Sequence, residues 1–199
     1  MLSAMLNAEG VVKLRVFPKT LPGGARLRLL EERRAPEVFA AVDRDRLYLR
    51  EWLPWVGANG TLDDSVEFIR KAVQQFADNE GLSAGIWCDG DFAGAIGTHA
   101  IDWTNRKVEL GYWIASRFQG RGLVTDACRA LLVHCFAEWK LHRVEIHCAT
   151  GNRRSCAIPE RLGFRLEGVL REAHLLNGRY HDLNVYAMLE SEWPRLPSR

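Results

Sequence analysis

The residues best suited to chemistry lie in one short stretch, Phe118–Thr125, whose sequence is Phe-Gln-Gly-Arg-Gly-Leu-Val-Thr. Its two glycines and its arginine directly precede a long run of helical periodicity. The first backbone N–H groups of a helix lack partners and carry a partial positive charge. Glycines let such a backbone approach a phosphate closely. The stretch therefore predicts that main-chain amides bind a pyrophosphate, with the guanidinium of Arg121 as a further donor.

Two common nucleotide-binding patterns are excluded. The P-loop sequence G-x-x-x-x-G-K-[ST] is absent from the chain. The third glycine of the Rossmann fingerprint is missing, and the strands predicted before the loop form hairpins rather than a parallel sheet. Taken alone the stretch is weak evidence, because an ordinary tight turn between a strand and a helix has the same composition.

Periodicity predicts the elements that position this loop. A meander precedes it, in which Asp89-Gly90 is typical of a type I′ hairpin turn. A broad apolar stripe of helical period follows it, over Gln119–Lys140. Thr61 and Asp64 resemble a capping box at the start of an earlier helix, for which Gly81 is the expected C-cap. The other predicted elements are strands at Ala25–Leu30, Leu82–Cys88, Asp91–Ile101, Lys107–Ala115 and Leu141–Ala149, helices at 36–50 and Asn152–Leu162, and a closing hairpin of Phe164–Leu176 and His181–Leu189 around Asn177-Gly178.

The order β-α-α-β-β-β-α-β-α-β-β predicts an α+β fold, or α/β by looser usage. It implies a mostly antiparallel mixed sheet flanked by helices, with a βαβ crossover at the glycine-rich loop. A length of 199 residues suits one domain, which we place at 25–190. Residues 1–24 form an N-terminal extension, with a strand at Val11–Phe17 and a loop at Pro18–Gly24. Residues 191–199 form a C-terminal tail.

Composition narrows the class of protein. The chain is 47% hydrophobic and 26% charged, as is typical of soluble globular proteins. Its net charge of +2 provides no strong field toward nucleic acid or membrane. Neither a membrane span nor a signal peptide is expected. Five cysteines without a C-x-x-C pair, and histidines without metal-ligand spacing, predict a reducing cytoplasmic setting and no metal.

Three groups of residues near the loop carry a family pattern. They are Glu109–Ile114, Phe118–Gly122, and Asn152-x-x-Ser155 followed by Leu162-Gly163-Phe164. Together they resemble the GNAT acyl-CoA-dependent N-acetyltransferases, which share a Q/R-x-x-G-x-G/A phosphate loop followed by a helix. Over residues 25–190 the chain also looks like the RimJ/RimL-type branch, which acetylates the N-termini of ribosomal proteins. That likeness is carried by Leu49–Trp55, Glu167–Glu172 and Asn177–Asp182.

The resemblance implies a place for each part of acetyl-CoA, the expected co-substrate. The pantetheine arm would pair with the backbone of Trp113, Ile114 and Ala115, as an added strand pairs with a sheet edge. Asn152 would hydrogen-bond the pantetheine or the side of the leaving thiolate. The pyrophosphate would be held, largely through backbone N–H groups, by Gln119, Gly120, Arg121, Gly122, Leu123, Val124 and Thr125.

Two residues depart from the family pattern. Val124 stands where the motif prefers Gly or Ala, but the contact there is a backbone amide, so a side chain directed into the core is compatible. Pro159 falls inside the helix predicted at Asn152–Leu162. Because proline cannot donate to the carbonyl of Ser155, we expect the helix to be kinked or shortened there.

Amide formation from a thioester needs a neutral amine, a donor to the developing oxyanion and a proton for the leaving thiolate. Glu109 is the first candidate base, and the alternative is a plain sheet-face carboxylate. His174 is the second, since a relative in this branch would place a carboxylate there; the alternative is a solvated histidine. Ser155 is the candidate donor to the sulfur, or else a first-turn cap. Cys156 has no histidine partner in the sequence, so an acyl-enzyme is not expected.

The resemblance thus implies a cytoplasmic enzyme that transfers an acetyl group from acetyl-CoA directly to an amine. The first expected acceptor is the N-terminal α-amine of a protein, a ribosomal one by the branch. Two alternatives stay open: a small amine such as a polyamine, amino acid or antibiotic, and a non-catalytic acyl-CoA-binding module. No direct contact with nucleic acid or membrane is expected, and the chain is a monomer or homodimer.

Overall fold

The computed structural model describes residues 17–57 and 60–193 of the chain. Eight strands in these two segments form one sheet. They are β1 (Lys19–Thr20), β2 (Arg26–Leu29), β3 (Ser83–Cys88), β4 (Asp91–Thr98), β5 (Lys107–Ile114), β6 (Arg143–Ala149), β7 (Arg165–Leu176) and β8 (Arg179–Leu189). Their order across the sheet is β1-β2-β3-β4-β5-β6-β8-β7.

Neighbouring strands run antiparallel except β5 and β6, which run parallel and are joined by a helical crossover. The predicted mixed, mostly antiparallel sheet is therefore confirmed. Both predicted hairpin turns are also confirmed, since Asp89-Gly90 and Asn177-Gly178 have positive φ at both residues. The segment predicted as a loop at Pro18–Gly24 contains the short strand β1. Of the strand predicted at Val11–Phe17, residues 11–16 lie outside the described residues.

The α-helices are α1 (Ala35–Arg44), α2 (Arg46–Arg50), α3 (Leu62–Ala77), α4 (Leu123–Val133) and α5 (Arg153–Leu162). They cover the sheet on both faces. One apolar cluster packs α4 and α5 against one face, through residues such as Leu131 and Cys156. A second packs α1 and α3 against the other face, through Val38 and Ile69. Within the part of the chain described, no helix is long and apolar enough to cross a membrane.

The helix predicted over 36–50 is broken at Asp45, which separates α1 from α2. The Asp45 carboxylate accepts hydrogen bonds from the backbone N–H and the hydroxyl of Ser116, so it holds the break against the loop after β5. The capping box on α3 is confirmed, because the Thr61 hydroxyl accepts from the Asp64 N–H and Asp64 accepts from the Thr61 N–H.

Two predicted helix ends are wrong. Helix α3 ends at Ala77, with Asp78 and not Gly81 as its C-cap. Gly81 instead allows close packing, since a Cβ there would lie 2.6 Å from Thr98 Oγ1. The α-helix predicted over Gln119–Lys140 begins only at Leu123, and after Val133 it widens into a π-helical turn, His134–Glu138.

The parallel strands β5 and β6 separate part-way along their length. They pair only at Lys107–Glu109 opposite Arg143–Glu145. Beyond Glu109 and Glu145 the two strands diverge into a fork, whose open end faces the N-termini of α4 and α5. This fork positions the candidate site.

Candidate active site

A groove of about 900 Å³ runs from the open end of the fork between α4 and α5. Its walls include most of the loop selected from sequence: Gln119, Gly120, Gly122, Leu123, Val124 and Thr125. Asn152 and Ser155, at the start of α5, line the opposite wall. The structure therefore brings together residues separated by about 30 positions in the sequence.

The loop presents free backbone amides to this groove. Gly120 and Gly122 have φ of 71° and 76°, a left-handed conformation that glycine adopts without strain. Gly122 is the N-cap of α4 and provides no capping side chain. The first helical hydrogen bond runs from the Asp126 N–H to the Gly122 carbonyl, so the three preceding amides remain available to an anion. Val124 directs its side chain into the core, as expected.

The Arg121 side chain has a protein partner outside the groove. Its guanidinium forms an ion pair with Asp89 in the β3–β4 turn, at 2.8 Å, and packs over the ring of Phe118. Its side chain is thereby held away from the groove, whose walls do not include it. Other arginines do line the groove: Arg129, Arg153, Arg154 and Arg161.

The backbone of β5 differs from the expectation that Trp113, Ile114 and Ala115 pair with the pantetheine arm. The Ala115 N–H donates to the Ala93 carbonyl at 2.8 Å, so it is not free to bind a pantetheine arm. Because hydrogen-bonded pairs alternate along antiparallel strands, Trp113 also directs its N–H and C=O at β4. Ile114 directs these groups into the fork, as does Tyr112, which the sequence analysis did not select.

A second cavity, of about 1010 Å³, lies on the other side of the fork. Glu109 and His174 both line it, and so does His147. The two cavities meet at a common set of lining residues, namely Trp52, Leu53, Tyr112, Trp113, Asn152 and Ser155. A molecule lying in the first cavity can therefore present one end to a molecule lying in the second.

Ser155 is fixed at this junction by an unexpected contact. Pro159 has no N–H to donate to the Ser155 carbonyl, yet α5 continues through it to Leu162. The hydroxyl of Tyr112 donates to that carbonyl instead, at 3.2 Å. The expected shortening of the helix is wrong, and a side chain of β5 supplies the Ser155 carbonyl with the donor that Pro159 lacks.

The Ser155 hydroxyl has two neighbours at the junction. Its Oγ lies 3.4 Å from the Tyr112 hydroxyl and 3.1 Å from the Cys148 Sγ. Burial raises the pKa of the Cys148 thiol to about 11, and burial raises the pKa of Tyr112 well above its usual value. Both groups are therefore protonated near neutral pH, so Cys148 does not provide a thiolate nucleophile.

The carboxylate of Glu109 lies between two histidines. One oxygen is 3.3 Å from His147 Nδ1, and the other is 3.7 Å from His99 Nε2. His174 is on β7, opposite His181 of β8, and reaches the same cavity. Among the described residues no group of three or more His, Cys, Asp or Glu side chains is placed to hold a metal ion.

Comparison with known proteins identifies the family. The model of the acetyltransferase (GNAT) domain matches residues 25–165. The chain belongs to the GNAT acetyltransferase family. YdaF of Bacillus subtilis (strain 168), whose name places it with ribosomal N-acetyltransferases, is 40% identical to this GNAT protein over 168 residues. That alignment covers 84% of the chain and 92% of YdaF.

Solved structures show the same GNAT fold. RimL, a ribosomal L7/L12 α-N-protein acetyltransferase in complex with coenzyme A, superposes with a TM-score of 0.82 at 27% identity, covering 87% of this chain and 97% of RimL. The microcin C7 self-immunity acetyltransferase MccE, in complex with acetyl-CoA and AMP, gives a TM-score of 0.79 at 29% identity, covering 83% and 92%.

Several residues that lie at or beside the two cavities were not selected from the sequence. Tyr112 lies within the family pattern Glu109–Ile114 but was given no role of its own, and Cys148 carried no motif. His147 and Glu145 follow the alternation of an ordinary strand. The available signal was the parallel crossover itself, which makes the side chains at the ends of β5 and β6 neighbours.

Proposed function

We propose that this GNAT enzyme transfers the acetyl group of acetyl-CoA to the N-terminal α-amine of a protein, a ribosomal protein in the first place. The observation that carries the proposal is the meeting of two cavities at Ser155, Tyr112 and Asn152. One cavity suits a pyrophosphate-bearing thioester and the other an amine. The proposed catalytic domain spans 25–190, between an extension at 1–24 and a tail at 191–199, in a cytoplasmic protein.

The first cavity fits the donor. The amides of Leu123, Val124 and Thr125 at the N-terminus of α4 would bind the pyrophosphate, with Gly120 and Gly122 allowing its close approach. The N–H and C=O groups of β5 that face the fork, at Tyr112 and Ile114, would pair with the pantetheine amides. Asn152 would orient the end of the arm. The thioester would then lie beside Ser155.

Chemistry at the junction follows from these groups. The neutral amine attacks the thioester carbon, a C–N bond forms and the C–S bond breaks, and coenzyme A leaves as the thiolate. The proton that the nitrogen must lose to become an amide passes to this thiolate. The Ser155 hydroxyl donates a hydrogen bond to that sulfur. To do so it exchanges its hydrogen bond to the Tyr112 hydroxyl for one to the sulfur, while the Cys148 thiol donates to Ser155 Oγ and keeps the side chain in place. Cys148 and Tyr112 stay protonated, so neither is a nucleophile, and we propose that the acetyl group passes directly from the thioester to the amine.

The amine must lose its proton before it attacks. Glu109 and His174 are the two candidate bases, because both line the amine-side cavity. The pKa of an α-amine lies about 2.5 units below that of a lysine amine, so an α-amine needs little help to lose its proton at neutral pH. A protein N-terminus is therefore an easier acceptor for this site than a lysine side chain.

The lining of the second cavity favours a polypeptide over a polycation. Each carboxylate in its wall already has a partner: Asp64 caps α3, Glu67 pairs with Lys71 at 3.4 Å, and Glu109 contacts histidines. Aromatic side chains also line the cavity, including Trp52, Trp55 and Phe68. Trp55 and Phe68 are 37% and 41% exposed, so they provide apolar surface for an entering chain segment.

The test is turnover with matched acceptors. Peptides with free Ser, Ala or Met N-termini and an internal lysine are compared with the same peptides blocked at the N-terminus. Spermidine and an aminoglycoside complete the panel. We expect one acetyl group, located by fragmentation at the α-amine of the free peptides. Acetylation of spermidine or the aminoglycoside alone would reassign the enzyme to small amines. Tight coenzyme A binding without any product would indicate a binding module.

A further inference from the structure

The fork between β5 and β6 begins at two carboxylates. Glu109 and Glu145 are the last paired residues, and they lie directly opposite each other. Like charges in such positions on neighbouring strands repel each other. A third group must therefore compensate this pair at the point where the strands separate.

His147 is that group. It is two residues beyond Glu145 on the same face of β6, so its ring reaches back across the fork. Nδ1 lies 3.3 Å from Glu109 Oε2, and Nε2 lies 3.2 Å from Glu145 Oε2. The ring is 20% exposed and lines the amine-side cavity. One imidazole thus connects both carboxylates.

The two carboxylates differ in how firmly they are held. Burial alone would raise the pKa of Glu145, but the Arg143 guanidinium, 2.6 Å away, lowers it overall. Arg143 is itself held by Glu167 of β7. Glu109, by contrast, contacts the two imidazoles of His147 and His99. Arg143 therefore holds Glu145, Glu145 holds His147, and His147 holds Glu109.

We propose that His147 is a positioning residue for acetyl transfer. Anchored by Glu145, it holds the Glu109 carboxylate at the closed end of the fork, in the wall of the amine-side cavity, where that carboxylate takes the proton that the acceptor ammonium must lose. Glu109 then releases the proton to water on the side of His99, whose side chain is 65% exposed and lies 3.7 Å from the carboxylate. This inference rests on the proposed function, because Glu109 acts as a base only if an amine is acetylated.

The test combines single and double variants. We expect His147→Gln to lower kcat about tenfold to a hundredfold, as misplacement of a catalytic group does, with the KM for acetyl-CoA changed less than about twofold. When Glu109→Gln is already present, adding His147→Gln should lower kcat by less than a further factor of about two, because His147 acts through Glu109. His142→Gln, an exposed histidine just before β6, is the matched control and should leave kcat unchanged.

A purely structural role for His147 would give a different pattern. The His147→Gln and Glu109→Gln effects would then multiply, or His147→Gln would match the His142→Gln control, and either result would overturn the proposal. If His147→Gln fails to fold, Glu145→Gln removes the anchor and leaves the ring. That variant should also lower kcat and should be non-additive with Glu109→Gln.

The acceptor panel separates this inference from the proposed function. Kinetics are measured with a free N-terminal peptide and with spermidine. Turnover of spermidine alone would overturn the peptide assignment while the His147 variants still show whether it positions Glu109. Absence of turnover with every amine would overturn both. Turnover of the peptide with additive variants would overturn the role of His147 alone.

Discussion

Replacing Asn152 separates two roles that the structure gives to one side chain. Its Oδ1 accepts a hydrogen bond from the Ser155 N–H at 3.1 Å and so caps α5. The same side chain lines both cavities at their junction. Asn152→Ala removes both roles. Asn152→Ser keeps an oxygen that caps a helix equally well but loses the amide donor.

The size of the first effect follows from the cap. Loss of an N-cap side chain costs about 1 kcal/mol of the free energy of unfolding. For a chain of this size, 1 kcal/mol corresponds to a fall in Tm of about 2–4 °C. Asn152→Ala should therefore lower Tm by that amount, and Asn152→Ser should melt within about 1 °C of the unchanged protein. Both should raise the KM for acetyl-CoA, because neither provides the amide.

The assay is thermal melting without ligand, paired with acetyl-CoA kinetics and calorimetric titration of coenzyme A. Wild-type affinity for coenzyme A in Asn152→Ser would refute the reasoning about the cofactor side of the junction. An unchanged Tm in Asn152→Ala would refute the reasoning about the cap. A low Tm in both variants would mean that the amide is needed for folding.

Three further changes test other parts of the account. Tyr112→Phe leaves the Ser155 carbonyl without its donor and should cost about 1–3 kcal/mol of unfolding free energy in chemical denaturation, with a lower kcat. Gly94→Ala places a Cβ 2.9 Å from Ile114 Cα, so it should displace β5, destabilise the fold by about 1–3 kcal/mol and weaken coenzyme A binding in calorimetry. Burial lowers the pKa of His134 to about 4. Because the unfolded chain binds that proton near pH 6.5, stability should fall by about 3 kcal/mol as pH drops from 6.5 to 4, and His134→Phe should flatten this slope in denaturant titrations.

Further variants serve as controls for these changes. Pro159→Ala supplies a main-chain N–H to the Ser155 carbonyl, so it should restore part of the stability lost in Tyr112→Phe. A double variant no more stable than Tyr112→Phe would contradict that explanation. Gly57→Ala meets no atom within 4 Å and should be neutral, unlike Gly94→Ala. A pH slope identical in His134→Phe would assign the acid sensitivity to other groups.

Local signals predicted most of the fold. Asp89-Gly90 and Asn177-Gly178 fix their hairpins through their own backbone preferences, and Thr61 with Asp64 begins α3 by contacts three residues apart. The glycines of the loop 119–125 were selected for the same local reason. Such features depend on residues that are neighbours in the sequence, so they can be predicted from the sequence alone.

The junction of the two cavities depends on contacts between residues that are distant in sequence. The Tyr112 hydroxyl reaches the carbonyl that Pro159 leaves free on another element. His147 connects Glu109 and Glu145 only because two parallel strands separate at that level. Asp45 breaks a helix through a contact with Ser116, far along the chain. Periodicity cannot show these pairings, since each side chain keeps an ordinary place in its own element.

The central claim is that one passage joins the donor cavity to the amine cavity at Ser155. A bisubstrate analogue, coenzyme A linked through an acetyl spacer to the α-nitrogen of a short peptide, tests it directly. We predict that calorimetry gives much tighter binding for this analogue than for coenzyme A or the peptide alone, because both cavities are filled at once. A dissociation constant equal to that of coenzyme A would contradict the claim, since the peptide would then lie outside the second cavity.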